Sequence, residues 1–202
     1  MKLKYYKQIV NMLYEEWDLG KKSSRAKGKT CAWIYWLSLL SEVEQLVIET
    51  QDDKVIGVSG YTKWSSKKHL FRKKFYSILE NILIYSPLVK DKKALFQYNK
   101  NYNYLPKELE GYFDGEVTIL IVDAAYRGKQ IGKKLLTKVF DLASKDQMKN
   151  LQILTDESCN YQFYEKLDCN KIYEKLIHNE EKGKLGNIPS EMGFIYEKRL
   201  VK

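Results

Sequence analysis

The sequence is poor in the residues that build loops, staples and metal cages: 3 prolines, 3 cysteines and 2 histidines in 202 residues. Cys31, Cys159 and Cys169 form no CxxC pair, and His69 and His178 stand apart from them, so the spacing supports neither a disulfide framework nor a metal site. The longest apolar runs, "WIYWLSLL" and "VTILIV", stop far short of the ~20 residues a membrane span needs. The opening "MKLKYYKQIV" lacks a signal peptide's apolar core and small-residue cleavage site. No membrane partner is expected, and the cytoplasm is the expected compartment. What is present is ordinary for a globular chain, with 44% hydrophobic and 30% charged residues. The length fits a single domain, residues 1–202. The formal charge of +9 is compatible with nucleic acid, with anionic ligands or with solubility alone, and does not choose among them.

Periodicity gives a mixed α/β order. "KLKYYKQIVNMLYEEW" places Tyr6, Ile9, Val10, Leu13 and Trp17 at helical spacing. "DLGKKSSRAKGKT" reads as a basic loop, and "CAWIYWLSLLSEV" as a second, strongly apolar helix. "EQLVIETQDDKVIGVSGYTKW" is a strand, an Asp-Asp turn and a strand, hence a hairpin. Residues 64–113 read as two helices and a loop, interrupted at Pro87 and rich in Tyr, Asn and Lys. "GEVTILIVD" is apolar on both faces, as a central strand would be. A helix follows whose stripe is Ile131, Leu135, Leu136, Val139, Leu142 and Ala143. "LQILTD" is a strand, "ESCNYQFYEKL" a short helix, and "CNKIYEKLIH" and "FIYEKRLV" are closing strands around an "NEEKGKLGNIPS" loop.

The stretch "VDAAYRGKQIGKKLL" poses an electrostatic problem. A helix N-terminus already carries partial positive charge from its unpaired N–H groups, yet Lys129, Lys133 and Lys134 crowd there. An anion resolves the conflict: strand, glycine-containing turn and helix is the arrangement in which successive N–H groups converge on a phosphate. A P-loop is excluded, because Gly128 and Gly132 are too close and no Ser or Thr follows Lys133. The dinucleotide fingerprint fails as well, since "RGKQIG" lacks its glycine spacing.

The segment resembles motif A of the GNAT superfamily of N-acetyltransferases, [QR]-x-x-G-x-[GA] after a V-x-x-x-[YF]-R-G lead-in. Arg127, Gly128, Ile131 and Gly132 fall on it, and "IVDAAYRG" falls on the lead-in. Further along, "TDESCNYQFYEKL" is similar to the family's motif B helix ending in F-Y-E-K-L. Two motifs in family order, separated by one helix and one strand, are far more specific than either alone. The resemblance implies a mixed, mostly antiparallel central sheet flanked by helices, with a helical insertion at 64–113 and an acetyl-CoA-binding core at 114–169. Three departures stand out. Gln130 replaces the usual fourth-position glycine of motif A. Asp168 replaces the glycine after motif B, a place where Asp tolerates left-handed geometry. Glu157 stands where an Asn is common, and Asn160, four residues before Tyr164, is the alternative cofactor contact.

The resemblance further implies acetyl transfer from acetyl-CoA, used as a co-substrate without a metal, to a primary amine by direct attack in a ternary complex. The diphosphate would lie on Arg127, Gly128, Lys129, Gln130, Ile131, Gly132 and Lys133. The pantetheine would follow the main chain of Leu120, Ile121 and Val122. Tyr164 matches the family's tyrosine near the thioester sulfur, and a phenol of pKa ~10 suits protonation of a thiolate. Glu116 lies where many members carry a base, with Asp114 as its nearby substitute; a carboxylate buried there would have a raised pKa. Cys159 as a nucleophile in a ping-pong route stays open. The insertion is expected over the acceptor site, with Tyr102, Tyr104 and Tyr112 lining it. Its segment 64–110 holds ten Lys/Arg against four Asp/Glu, which favours a small neutral or acid-bearing amine over a polycation. Two other classes compete: a nucleic-acid or protein-binding module using "WSSKKHLFRKKFY", and a weakly active GNAT-fold ligand sensor. Nucleic acid is not the expected partner, and the chain is expected as a monomer or homodimer.

Overall fold

A computed structural model describes residues 2–17, 25–87, 89, 105–177 and 191–200. The chain divides into two compact units, Met1–Thr62 with Ser66–Lys90 and Thr118–Val139, and Lys63–Ser65 with Asp91–Val117 and Phe140–Lys202. Six strands form one sheet in the order β1-β2-β3-β4-β6-β5.

In the first unit, helices α1 (Leu3–Glu16) and α2 (Arg25–Glu42) precede the hairpin of β1 (Gln45–Gln51) and β2 (Lys54–Lys63). The apolar spacing of α1 buries Ile9, Val10 and Leu13. On α2 the buried set is Ala32, Trp36, Leu39 and Leu40, which meets the α1 residues together with Val55, Val58, Ile119 and Ile121. Side chains of this size, fully withdrawn from water, each contribute about 1.5–3 kcal/mol. Tyr6 sits edge-on to Trp36 at 5.7 Å, an arrangement that adds to area burial. The α2 helix starts earlier than its apolar pattern suggests, inside the stretch that reads as a loop. Arg, Ala and Lys are strong helix formers, and their summed preference outweighs the roughly 1 kcal/mol cost of Gly28. The hairpin turn follows the sequence closely: Asp52 and Asp53 both take positive φ, 47° and 63°, as a two-residue turn matching strand twist requires. Asp53 also receives the Tyr5 hydroxyl at 2.9 Å and the Lys4 ammonium, fixing α1 to the turn.

The insertion contributes α3 (Leu70–Ile84), packed on α2 and α1 through Arg72 donating to the Val43 carbonyl at 2.6 Å and a Tyr6–Tyr76 hydroxyl pair at 2.9 Å. A single 3-10 turn, Lys107–Leu109, follows before the central strand. The second helix expected in 64–113 falls largely on residues 90–104, outside the described residues.

The central strand β3 (Gly115–Val122) alternates buried and half-buried positions, so its second face is only partly covered. Helix α4 (Ile131–Lys145) buries Leu135, Leu136, Val139, Phe140 and Ala143, close to the expected stripe. In the second unit β4 (Asn150–Asp156) pairs antiparallel with β6 (Glu191–Arg199), and β6 with β5 (Asn170–Ile177). Between β4 and β5 stands α5 (Gln162–Glu165), a single turn where the sequence suggests a longer helix. Asp168, with φ 55°, adopts the left-handed conformation that its place after motif B requires. His178 and the loop expected at 179–190 lie outside the described residues.

One contact governs how α4 meets the sheet. A Cβ on Gly57 of β2 would stand 2.8 Å from Leu135 Cδ1, 3.2 Å from Ile131 Cγ2 and 3.3 Å from the Ile121 carbonyl. The first turns of α4 therefore rest on bare backbone. Gly57→Ala should cost about 1–3 kcal/mol in urea denaturation; an unchanged midpoint would show that the contact is slack.

Candidate active site

Two groups of residues matter, one in each unit. In the first, β3 ends at Val122 and passes through a 3-10 turn, Ala124–Tyr126, before α4. Asp123 caps that turn by accepting from the Ala125 N–H at 2.9 Å and pairs with Lys54 at 2.7 Å. Its own N–H donates to the Ile56 carbonyl at 3.0 Å, tying the turn to β2. The Lys54 ammonium, more than any other neighbour, holds the Asp123 carboxyl below the usual range. Gly128 follows with φ 77° and Gln130 with φ 60°. Gln130 thus adopts the left-handed conformation that a glycine would take freely.

Six consecutive N–H groups, Gly128 through Lys133, find no acceptor among the described residues, and the first intrahelical bond of α4 is donated by Lys134 to the Gln130 carbonyl at 3.0 Å. No acidic residue occupies the first turn of α4. The nearby cations are only partly committed. Arg127 pairs with Glu16 and donates to the Val122 carbonyl at 3.3 Å. Lys134 and Lys138 share Glu49, whose carboxyl they hold below its ordinary pKa. Lys129 lies over the Tyr126 ring at 4.8 Å. Lys133 is exposed and makes no ion pair among the described residues. Lys129, Gln130, Lys133, Lys134, Thr137 and Lys138 line an open depression of about 410 Å³. Converging N–H groups, a helix dipole and lysines suit a phosphate ester or diphosphate.

In the second unit, β3 and β4 run parallel, and their ladder consists of Gly115 with Leu151 and Glu116 with Gln152. Register places Glu116, Gln152 and Glu197 in one row across β3, β4 and β6, and residues in register share a sheet face. Gln152 is buried and its Oε1 has no hydrogen-bond partner among the described residues. Glu197, buried, accepts from the Tyr112 hydroxyl at 2.5 Å and from Arg199 Nε at 3.0 Å. Tyr112 therefore does belong to a polar cluster, although its hydroxyl is turned to Glu197. Sequence alone does not single out Glu197, because a terminal-strand Glu next to Lys198 and Arg199 looks solvated until strand register is known. Tyr102 and Tyr104 lie outside the described residues.

Two carboxylates stand at the start of β3. Asp114 Oδ2 accepts the N–H groups of Lys149 at 2.6 Å and Asn150 at 3.1 Å, while its carbonyl takes the Trp64 N–H at 3.0 Å. It clasps the entry of β4 through one carboxylate oxygen. Glu116 is half-buried on the strand itself.

Tyr164 is the third residue of α5, its ring 5.6 Å from that of Tyr196. Burial of the hydroxyl raises its pKa above the ordinary phenol value, reinforced by Cys159, Cys169, Asp156 and Tyr196. It stays protonated at neutral pH. Asn160 precedes α5 and is exposed, so it does not share a helical face with Tyr164; its carbonyl accepts the Phe163 N–H at 3.1 Å. Cys159 is exposed as a residue, yet burial of its sulfur and then the Asp156 charge push the thiol pKa up. Burial likewise pushes Cys169 up to about 11. Among the described residues no His, Cys, Asp and Glu group could hold a metal ion, and no helix is long and apolar enough to cross a membrane. The basic helix "WSSKKHLFRKKFY" does not present all its charge outward, since Lys73 reaches the buried Glu44 at 3.4 Å and Arg72 the Val43 carbonyl.

Residues 101–168 match the family model of the acetyltransferase (GNAT) domain. No curated protein matches the chain in sequence. Among solved structures, aminoglycoside 6'-acetyltransferase type Ii aligns over 98% of this chain and 91% of its own, with TM-score 0.54 and 14% identity. At that identity the likeness is one of fold. An N-acetyltransferase from Staphylococcus aureus Mu50 aligns over 77% of this chain and 67% of its own, with TM-score 0.47 and 14% identity. The Salmonella typhimurium protein yncA, solved with its cofactor acetyl-CoA, aligns over 78% and 65%, with TM-score 0.47 and 11% identity.

Asp114→Ala should lower stability by about 1–3 kcal/mol, by stranding two N–H groups. Chemical denaturation of the variant checks this, and an unchanged midpoint would show that the clasp is slack.

Proposed function

We propose that the chain is a GNAT-type, acetyl-CoA-dependent N-acetyltransferase acting on a small primary amine and organised as one domain, a reading supported by the match of residues 101–168 to the acetyltransferase (GNAT) domain. The observation that carries this reading is the run of unpartnered N–H groups from Gly128 to Lys133 at the start of α4. A diphosphate accepts from such a run and offsets the charge of Lys129 and Lys133. The main chain of Leu120, Ile121 and Val122 would bind the pantetheine, as the resemblance implies.

Acetyl-CoA supplies the activated acetyl thioester; the protein's part is proton handling and orientation. Glu116 takes the ammonium proton, directly or through water. The amine nitrogen then bonds to the thioester carbonyl carbon while the C–S bond breaks. Tyr164 Oη gives its proton to the departing sulfur, and the second proton shed by the new amide nitrogen restores the phenol; burial keeps Tyr164 protonated but makes it a weaker acid, so the transfer relies on the charge that develops on sulfur as the C–S bond breaks. Direct attack is favoured over an acyl-enzyme because burial raises the Cys159 thiol pKa, and a thiol is a weaker nucleophile than a thiolate. Asn160 remains a candidate cofactor contact from its exposed place ahead of α5. The acceptor class follows charge: the surplus of Lys and Arg in 64–110 favours an amine that is neutral or carries an acidic group. A compartment that supplies acetyl-CoA, the cytoplasm, is where the reaction belongs.

Thiol release from acetyl-CoA, measured across an amine panel, tests the activity, and release no faster than buffer with every amine class would refute it. Tyr164→Phe should cut turnover by about 10²–10⁴ with acetyl-CoA affinity little changed. Cys159→Ser should retain turnover within about threefold. Loss of turnover in Cys159→Ser, together with an acyl-enzyme trapped in the unmodified protein, would replace direct attack by a two-step route.

A further inference from the structure

The outward face of α3 carries Phe71, Phe75, Ile78 and Ile82, continued by Tyr85 at its C-cap, exposed by 88, 51, 51, 61 and 68%. Single exposed apolar residues are common on soluble proteins. These five advance by four, three, four and three residues, the spacing of a helix-pairing seam. From ordinary side-chain sizes they expose on the order of 700 Å², more than the largest patch of a typical monomer and close to the ~800 Å² that one partner contributes to a stable interface. The opposite side of α3 is already attached, through Tyr76 to Tyr6, Arg72 to the Val43 carbonyl and Lys73 to Glu44.

We infer that this seam pairs with the same seam of a second copy, antiparallel, forming a twofold-symmetric dimer. Two features of the helix select that occupant. First, the five-residue seam is complementary to itself in reverse: an antiparallel copy centred on Ile78 sets Ile78 against Ile78, Phe75 against Ile82 and Phe71 against Tyr85, as a twofold interface requires. Second, α3 has no acid in its first turn and no base in its last. Its exposed Lys74 lies toward the positive end of its own dipole, and an antiparallel copy brings it toward the partner's negative C-terminal end, where a cation is favourable. A lipid surface fits less well, because a membrane-lying helix needs a basic rim facing outward, and Arg72 and Lys73 are turned toward the protein.

Sedimentation of the full chain at about 50 µM, a concentration at which a micromolar dimer is well populated, should give twice the 23.9 kDa chain mass. Ile78→Glu should weaken association by at least about 100-fold while keeping the helical circular-dichroism signal and the affinity for acetyl-CoA. Ile78→Leu should remain dimeric. A monomeric wild type, or an Ile78→Glu protein that stays dimeric, would overturn the proposal. So would a monomer that floats with phosphatidylserine vesicles, or a monomer whose thermal stability collapses in Ile78→Glu, which would mean that the seam is covered within the chain. Acetyl-CoA affinity is read in the same samples, so failure of the dimer and failure of the acetyltransferase reading are separable.

Discussion

The absence of a side chain at Gly57 lets the first turns of α4 lie against the backbone of β2 and β3. The N–H groups from Gly128 to Lys133 depend on that seating, because they point where the start of α4 points. Asp123 reinforces it from the other side, capping the 3-10 turn, pairing with Lys54 and bonding to the Ile56 carbonyl. The strand end and the helix start are thus fixed by separate devices, and the turn between them is left with donors and few acceptors. Satisfying these groups within the protein would have been simple; a Ser or Asp ahead of the helix would cap it. The chain instead places Gln130 and lysines there, an arrangement that is unfavourable in isolation and favourable with a bound anion.

The second unit supplies different chemistry by ordinary strand register. Pairing β4 with both β3 and β6 gathers Glu116, Gln152 and Glu197 into a row drawn from three distant parts of the sequence. Tyr112 and Arg199 cover the Glu197 end, satisfying a carboxylate whose burial would otherwise be strongly unfavourable. Asp114, two residues from Glu116, plays a structural part, because its Oδ2 accepts both N–H groups that open β4. Tyr164 and Cys159 lie in a setting that holds protons on, which keeps the phenol neutral and disfavours a thiolate.

Much of this is legible in the sequence wherever the signal is local. The Asp-Asp hairpin, the apolar β3, the α4 stripe and the crowding of lysines at a helix start are all written within a few residues of one another. The left-handed Asp168 is legible for the same reason. What escapes a linear reading is either context-dependent or long-range. Residues from Arg25 look like loop because Gly28 and the lysines suggest it, but the apolar helix that follows extends backward over them. The α5 turn is shorter than its motif suggests, which removes Asn160 from the helical face of Tyr164. The separation of Asp114 from Glu116 and the capture of Tyr112 by Glu197, 85 residues away, depend on pairing register, which no single stretch encodes. The double-sided apolar character of α3 is hidden within a general helical periodicity, since only burial tells which face is attached.

An anion held by main-chain N–H groups at the start of α4 is the centre of this picture. Amide chemical shifts of the ¹⁵N-labelled protein, followed during titration with acetyl-CoA, observe those groups directly. The largest shifts should fall on Gly128 through Lys133, saturating together with a single affinity. Saturable binding that leaves those six amides unmoved would contradict it.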